Sequence, residues 1–218
     1  LILKDIAFYS GSASSVSVNG DELYTRVNDD VLLFQSKYYS QTWHGDVLAY
    51  QVDGTTGALV EPALWSAAKA MSLQSVAGRK IATYDGVSGG IPFRFDNLTV
   101  MQKSMLDATW EAGDANARNI LDYLRGDPTN ELENGGTFRD RTWKIEDQNH
   151  PYNGSIITSS RLGDIVHASP VYQDGVLYSG GNDGMLHALD AASGEEFFAY
   201  VPNLVFDNLK DLKDPTFS

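Results

Sequence analysis

Between Val171 and Tyr200 the chain alternates apolar and polar positions in short runs, each cut by turn residues. Val171-Tyr172 and Val176-Leu177-Tyr178 flank Asp174-Gly175. β-Branched and aromatic residues on either side of an Asp-Gly pair predict a hairpin. Asn182-Asp183-Gly184 supplies residues that tolerate positive φ, so a second reversal follows. Met185, His187 and Leu189 then share one face of the next strand, with Leu186 and Ala188 on the other. Ala191-Ala-Ser-Gly194 turns once more into Glu196-Phe-Phe-Ala-Tyr200. So short a sheet needs neighbours to cover its faces, and the unit is that of a β-propeller blade.

The pattern recurs. Trp43-His-Gly-Asp-Val-Leu-Ala-Tyr50 matches the strand at Asp183–Leu189, and Asp53-Gly-Thr-Thr-Gly57 follows it as Asp190-Ala-Ala-Ser-Gly194 follows the later one. A third copy runs Arg79-Lys-Ile-Ala-Thr-Tyr84, Asp85-Gly-Val-Ser-Gly89 and Ile91-Pro-Phe-Arg-Phe95. Gly57 and Gly89 stand 32 positions apart, short of the roughly 40–45 residues of a four-stranded blade. The expectation is an all-β chain holding part of a propeller: first blades over 1–96, an insertion over 97–160 on the propeller rim, and a further blade over 161–218.

Within the insertion the period changes. Leu98, Met101, Met105 and Leu106 fall near helical spacing. A second short helix is predicted from Asp114, as N-cap, through Ile120, Leu121 and Leu124, with Gly126 as its stop. The polar stretch 127–136 and the segment to Ile157, broken at Asn149-His-Pro151, read as loop. Insertions in repeat folds map to loops, and loops often carry function.

Composition narrows the function. The 218 residues suffice for a sound core. Twenty glycines and eleven tyrosines suit many turns and aromatic strands. A net charge of −13 disfavours a nucleic-acid surface, which needs clustered Lys and Arg. No apolar run is long enough for a membrane span, and the absence of cysteine removes disulfides and thiol chemistry. The opening Leu1-Ile-Leu-Lys4, with no initiating Met, is what a mature or excised piece would show. His44, His167 and His187 sit in or beside strand motifs at no metal-binding spacing; His167 and His187 are placed to approach across neighbouring strands. Asp164 and Asp183 read as strand-end and turn caps, and Trp43 and Trp65 as blade packing.

Leu162-Gly-Asp-Ile-Val-His-Ala-Ser-Pro-Val-Tyr172 with Asn182-Asp-Gly-Met-Leu-His-Ala188 resembles the PilY/PilC family of type IV pilus assembly and tip-adhesin proteins. Trp43-His-Gly-Asp46, Ala63-Leu-Trp-Ser-Ala67, Arg79–Tyr84 and Tyr123-Leu-Arg-Gly-Asp127 followed by Asn130-Glu131 resemble that family's C-terminal domain in the same order, from about residue 17 to 202. The resemblance implies a propeller of the quinoprotein-dehydrogenase type, larger than this window, with its remaining blades supplied elsewhere. It implies a non-enzymatic role in pilus assembly, surface attachment and twitching motility. Partners would be minor pilins, the pilus fibre and a host or abiotic surface. The setting would be extracytoplasmic: periplasm, cell surface or pilus tip. A quinone-dependent dehydrogenase, or an outer-membrane assembly scaffold, is the alternative from the same fold.

Two sites are expected from this resemblance, and no catalytic or cofactor-binding residue. Arg125-Gly126-Asp127 is the tripeptide that integrins read, with opposite charges flanking a flexible glycine. The same residues also read as a helix end, with Gly126 as terminator and Arg125 favouring the helix dipole. Calcium is implied in a loop for which Asp107, Thr109, Glu111 and Asp114 are the matching oxygen ligands. There the expected sixth-position glycine is Ala112. Asp107 and Glu111 read equally as solvated charges between two helices.

Overall fold

The computed structural model describes residues 13–18, 31–39, 42–111 and 115–216. Strands β1 (Ala13–Val18), β2 (Val31–Tyr39), β3 (His44–Val52) and β4 (Leu59–Ser66) form an antiparallel meander in that order. A second sheet holds β5 (Ile81–Tyr84), β6 (Gly90–Pro92), β9 (Val171–Gln173), β10 (Val176–Gly180), β11 (Leu186–Asp190) and β12 (Glu196–Val201), in the order β6-β5-β12-β11-β10-β9. Between them in sequence, β7 (Trp143–Lys144) and β8 (Ile156–Ile157) make a two-stranded ribbon. The helices are short: α1 (Ala67–Leu73), α2 (Val100–Leu106), α3 (Asn116–Leu124) and α4 (Phe206–Leu209). The fold is mostly β-sheet, and among the described residues no sheet closes into a barrel.

Three of the reversals use one device. Asp53, Asp85 and Asp190 each turn Oδ1 back onto the amides that follow: Thr55 and Thr56, then Val87, Ser88 and Gly89, then Ala192. An Asp side chain that takes these donors replaces the ladder bonds lost at the turn. The closing residue needs positive φ, at 70° for Gly57, 146° for Gly89 and 76° for Gly194, which glycine alone adopts without strain. In the first and third turns the closing glycine N–H donates to the Asp carbonyl, at 2.7 and 2.8 Å. The predicted repeat is therefore real at the level of backbone hydrogen bonds. Gly194 does more: a Cβ there would meet Trp65 Cε3 at 2.6 Å.

Trp65 lies where the two sheets pack together. Phe34, Val47, Ala49 and Trp65 of the first sheet share a core with Leu177 and Leu189 of the second and with Leu162 and Ile165 between them. Phe34 is 5.8 Å from the Trp65 ring and 6.0 Å from the Tyr172 ring, and Trp65 Nε1–H donates to the Ala191 carbonyl at 3.2 Å. Both faces of β2 and β3 are buried. Their opposite face holds Leu33, Leu48 and Tyr50 with Ala63.

Two expectations are corrected. Residues 79–95, read as a blade of the first unit, instead add the hairpin β5–β6 to the outer edge of the second sheet, with β5 parallel to β12. The helices of 97–160 do not project from a rim. Leu98, Leu106, Ile120, Leu121 and Leu124 lie in one core with Ile81, Ala199 and Val201 of the sheet and Phe206 and Leu209 of α4. Their apolar stripes need a partner, and the sheet face between β5 and β12 provides it. The helix ends follow the sequence. Thr99 closes a capping box with Gln102, and Gly126, at φ 106°, ends α3.

Candidate functional site

The motifs that carry the family likeness converge at one crossing. Gly45 of β3 lies against the backbone of Gly163, and Gly163 lies against the backbone of Asp183. A Cβ on either glycine would overlap main-chain atoms of its neighbour. The two Gly-Asp pairs, 45–46 and 163–164, are thus a point where three chain segments touch with no room for a side chain.

From that crossing a chain of buried charges runs inward. Gly163 N–H donates to Asp183 Oδ2 at 3.2 Å, and Met185 N–H to Asp183 Oδ1 at 3.0 Å. His187 sits between two carboxylates, with Nε2 2.9 Å from Asp183 Oδ2 and Nδ1 2.8 Å from Glu196 Oε1. Glu196 accepts from Arg79 Nε at 2.7 Å and Nη2 at 2.8 Å. Arg79 Nη1 donates to the Arg125 carbonyl at 2.8 Å, while Arg125 donates to the carbonyls of Arg79, at 3.0 Å, and Phe93, at 2.8 Å. Burial works against the His187 imidazolium, but Asp183 and then Glu196 outweigh it and hold the ring at about 9. Burial likewise opposes the Glu196 carboxylate, and the Arg79 and His187 hydrogen bonds bring it well below the ordinary range. At neutral pH His187 holds its proton and Glu196 its charge, with Asp183 and Arg79 as the groups that face them. His187 thus finds its partners at Asp183 and Glu196, and His167 is exposed.

A second constellation resembles a hydrolytic triad by composition only. Asp46, Ser66 and His150 are all buried. Ser66 Oγ donates to Asp46 Oδ2 at 2.6 Å, and His150 Nε2 lies 2.9 Å from the same oxygen. His150 Nδ1 accepts the Tyr152 amide at 3.0 Å, which leaves Nε2 as the donor to Asp46. Both groups point their protons at Asp46, so no imidazole nitrogen faces the serine as its base. The trio caps α1, through Lys69 N–H to Ser66 Oγ and Ala68 N–H to Asp46 Oδ1, and ties the 147–153 loop to β3. A third group, Glu131 with Arg141 and Ser159, does the same for the loop after α3.

The two sites expected from the sequence are placed as follows. Arg125 is 4% exposed, and its guanidinium is spent on interior carbonyls. Gly126 packs on the Arg161 side chain, and Asp127 Oδ1 caps Thr129. The tripeptide is a helix end, and a receptor reaching Arg125 would first have to dismantle the core beneath it. Asp107 Oδ1 accepts from Thr109 N–H and Oγ1–H, and its Oδ2 accepts from Asn116 Nδ2, at 3.0, 2.8 and 2.6 Å. The Asn116 bond is the foremost reason its carboxyl lies below the usual range. Glu111 is exposed, and Asp114 lies outside the described residues. Among the described residues no group of three carboxylate or imidazole side chains is placed to hold a metal ion. As far as it is described, the Asp107 loop is held by protein donors from Thr109 and Asn116.

Sequence reasoning missed Glu196, Arg79, His150, Glu131 and Arg141. Arg79 and Asp46 opened or closed quoted motifs, but their partners stand 117 and 104 positions away, and no periodicity signals such a pairing.

No family model and no solved structure matches the chain. Among curated proteins, a type IV pilus biogenesis factor PilY1 homolog of Xylella fastidiosa is 32% identical over 97% of this chain. The type IV pilus biogenesis factor PilY1 of Pseudomonas aeruginosa strain PAK is 29% identical over 82% of it, and that of strain UCBPP-PA14 is 27% identical over 82%. In each case the chain spans 17% of the relative's length. On this likeness the chain belongs to the PilY family of type IV pilus biogenesis factors, as a segment related to one part of those longer proteins.

Proposed function

We propose that this chain is a non-catalytic β-propeller portion of a pilus biogenesis factor, acting outside the cytoplasm in pilus assembly, attachment to surfaces and twitching motility. One observation supports the propeller part above others. In the second sheet, Val171, Tyr178, Ala188 and Phe198 are paired across neighbouring strands and so share a face, as do Leu186 and Tyr200 in the next row. Val171 is 58% exposed, Phe198 41% and Leu186 39%. The opposite face buries Leu177, His187, Leu189 and Ala199. An apolar row left half open on one side, beside two meanders already packed face to face, suits a further sheet of the same kind.

The non-catalytic part is supported by closure. In the Asp46–Ser66–His150 and Asp183–His187–Glu196–Arg79 groups each charged atom faces an internal partner, which is how structural networks are built. Pilins, the fibre and a contacted surface belong to this reading as partners, and calcium as a ligand. Calorimetric titration of Ca²⁺ with no saturable heat removes the calcium.

The test is an in-frame removal of this segment from the full-length protein in its own bacterium. Expected are fewer surface pili by electron microscopy, and smaller twitching zones. Unchanged piliation and twitching would overturn the functional reading. A structure of the longer protein with the Val171–Phe198 row still open to solvent would overturn the propeller.

A further inference from the structure

A cleft opens beside the glycine crossing, with Gly163 and Asp183 of that crossing among its lining residues. Its cavity volume is about 80 Å³, and its wall carries Arg139, Arg141, Arg161, Trp43, Asp164 and Asp183, with His44 beside them. Three arginines on one wall stand out in a chain of net charge −13. Arg141 is matched by Glu131, 2.7 Å from its Nε. Among the described residues Arg139 and Arg161 have no such carboxylate. Arg139 makes a long 3.5 Å contact to the Thr42 carbonyl. Arg161 gives Nη1 to the carbonyls of Met71 and Gln74, at 2.6 and 2.5 Å, and its buried Nε–H has no acceptor.

Two further features converge there. His44 is buried, stacks on Trp143 at 5.2 Å, and its Nδ1 has no partner at hydrogen-bonding geometry. Burial first, and then Arg139, pushes its imidazole down to about 4. Trp43 has φ of 53° and yet is 42% exposed. A bulky aromatic in the left-handed region is uncommon and costs backbone energy, and such strain gathers at binding sites. The turn holds it there through Trp43 N–H to the Tyr39 carbonyl at 2.7 Å.

We propose that this cleft binds a carboxylate, with Arg139 and the Arg161 Nε–H as donors and Trp43 as the wall for the ligand's carbon body. A planar guanidinium matches a carboxylate in shape and charge, and a buried donor without an acceptor is costly until a ligand supplies one. The inference does not depend on the pilus reading.

The test titrates the 218-residue chain with glutarate and, separately, with N-acetylglutamate N-methylamide, by calorimetry and by NMR of the His44 ring. Expected is saturable binding, weakened about tenfold or more in R139Q, with the His44 ionisation rising above about 4 when the carboxylate is bound. Binding of the blocked amino acid alone assigns a peptide-borne carboxylate; binding of glutarate alone assigns a free acid. The proposal falls if neither ligand saturates, if R139Q and W43G bind as the parent does, or if sulfate at matched ionic strength binds as tightly as glutarate. Should both variants fail to fold, an unmoved His44 titration in the parent chain is enough to reject it.

Discussion

Replacing Glu196 with Gln removes one negative charge from between two buried cations. Glu196 accepts from Arg79 at 2.7 and 2.8 Å and faces His187 at 2.8 Å, and it is buried. Gln keeps the volume but turns an amide donor toward groups that are themselves donors. The magnitude follows from His187. Raising the ring from 6.5 to about 9 corresponds to about 3 kcal/mol of favourable interaction with its carboxylates, and the group is fully buried, so solvent screens little of it. Breaking a buried pair from one side costs about 3–5 kcal/mol, and E196Q should lose stability in that range at pH 7. The pH dependence carries its own signature. Below about 6.5 folded and unfolded chains both hold the His187 proton, and the stabilisation is fully present. As pH rises toward 9 only the folded chain holds it, so the parent chain loses stability across that window. E196Q should lose most of that slope, and its His187 should titrate well below 9 by NMR. Urea midpoints within about 1 kcal/mol of the parent, or a His187 still titrating near 9, would refute the reasoning.

On the acid side, His44 is held down to about 4, so its contribution is present above 6.5 and lost as pH falls toward 4; an H44N chain should show a shallower decline over pH 6.5 to 4 in urea unfolding. Gly163→Ala forces a Cβ onto the Asp183 backbone and should cost about 3 kcal/mol or more, whereas Gly54→Ala, with nothing within 4 Å, should change the thermal midpoint little. Arg125→Ala strands the Arg79 and Phe93 carbonyls inside the core and should cost about 3 kcal/mol in denaturant, while Asp127→Ala, in an exposed turn, should cost under about 1 kcal/mol. Equal losses for the two would contradict the helix-end account. Asp46→Asn unties His150 and Ser66, and limited proteolysis should then cut within 147–155 sooner than in the parent.

Turns, strands and helix ends were written locally. The Asp-headed reversals at 53, 85 and 190, the Asp174-Gly175 hairpin, the Thr99–Gln102 cap and the Gly126 stop each rest on residues a few positions apart, so composition and order specify them. The motifs at 43–46 and 162–188 were legible as family marks, although not the reason for their glycines. Only the folded chain brings Gly45, Gly163 and Asp183 into backbone contact. The third repeat carried the same turn as the others, yet nothing local says that β5 joins β12 in parallel, because strand choice depends on which edge is open. Helical spacing showed that α2 and α3 have apolar stripes, and the sheet decided where those stripes are buried.

The charges divide in the same way. A lone Arg, Glu or His in sequence has no sign of its partner, and the Arg79–Glu196 and Asp46–His150 pairs span more than a hundred residues. Sequence by itself settled the vocabulary of this protein: short aromatic strands, aspartate-capped turns and helix signals, all set by interactions within about five residues. Tertiary structure decided which buried charges meet, why Arg125 faces inward, and where Arg139, Arg161 and Trp43 come together. Those outcomes depend on long-range packing, where desolvation makes each unmatched charge costly enough to select its partner.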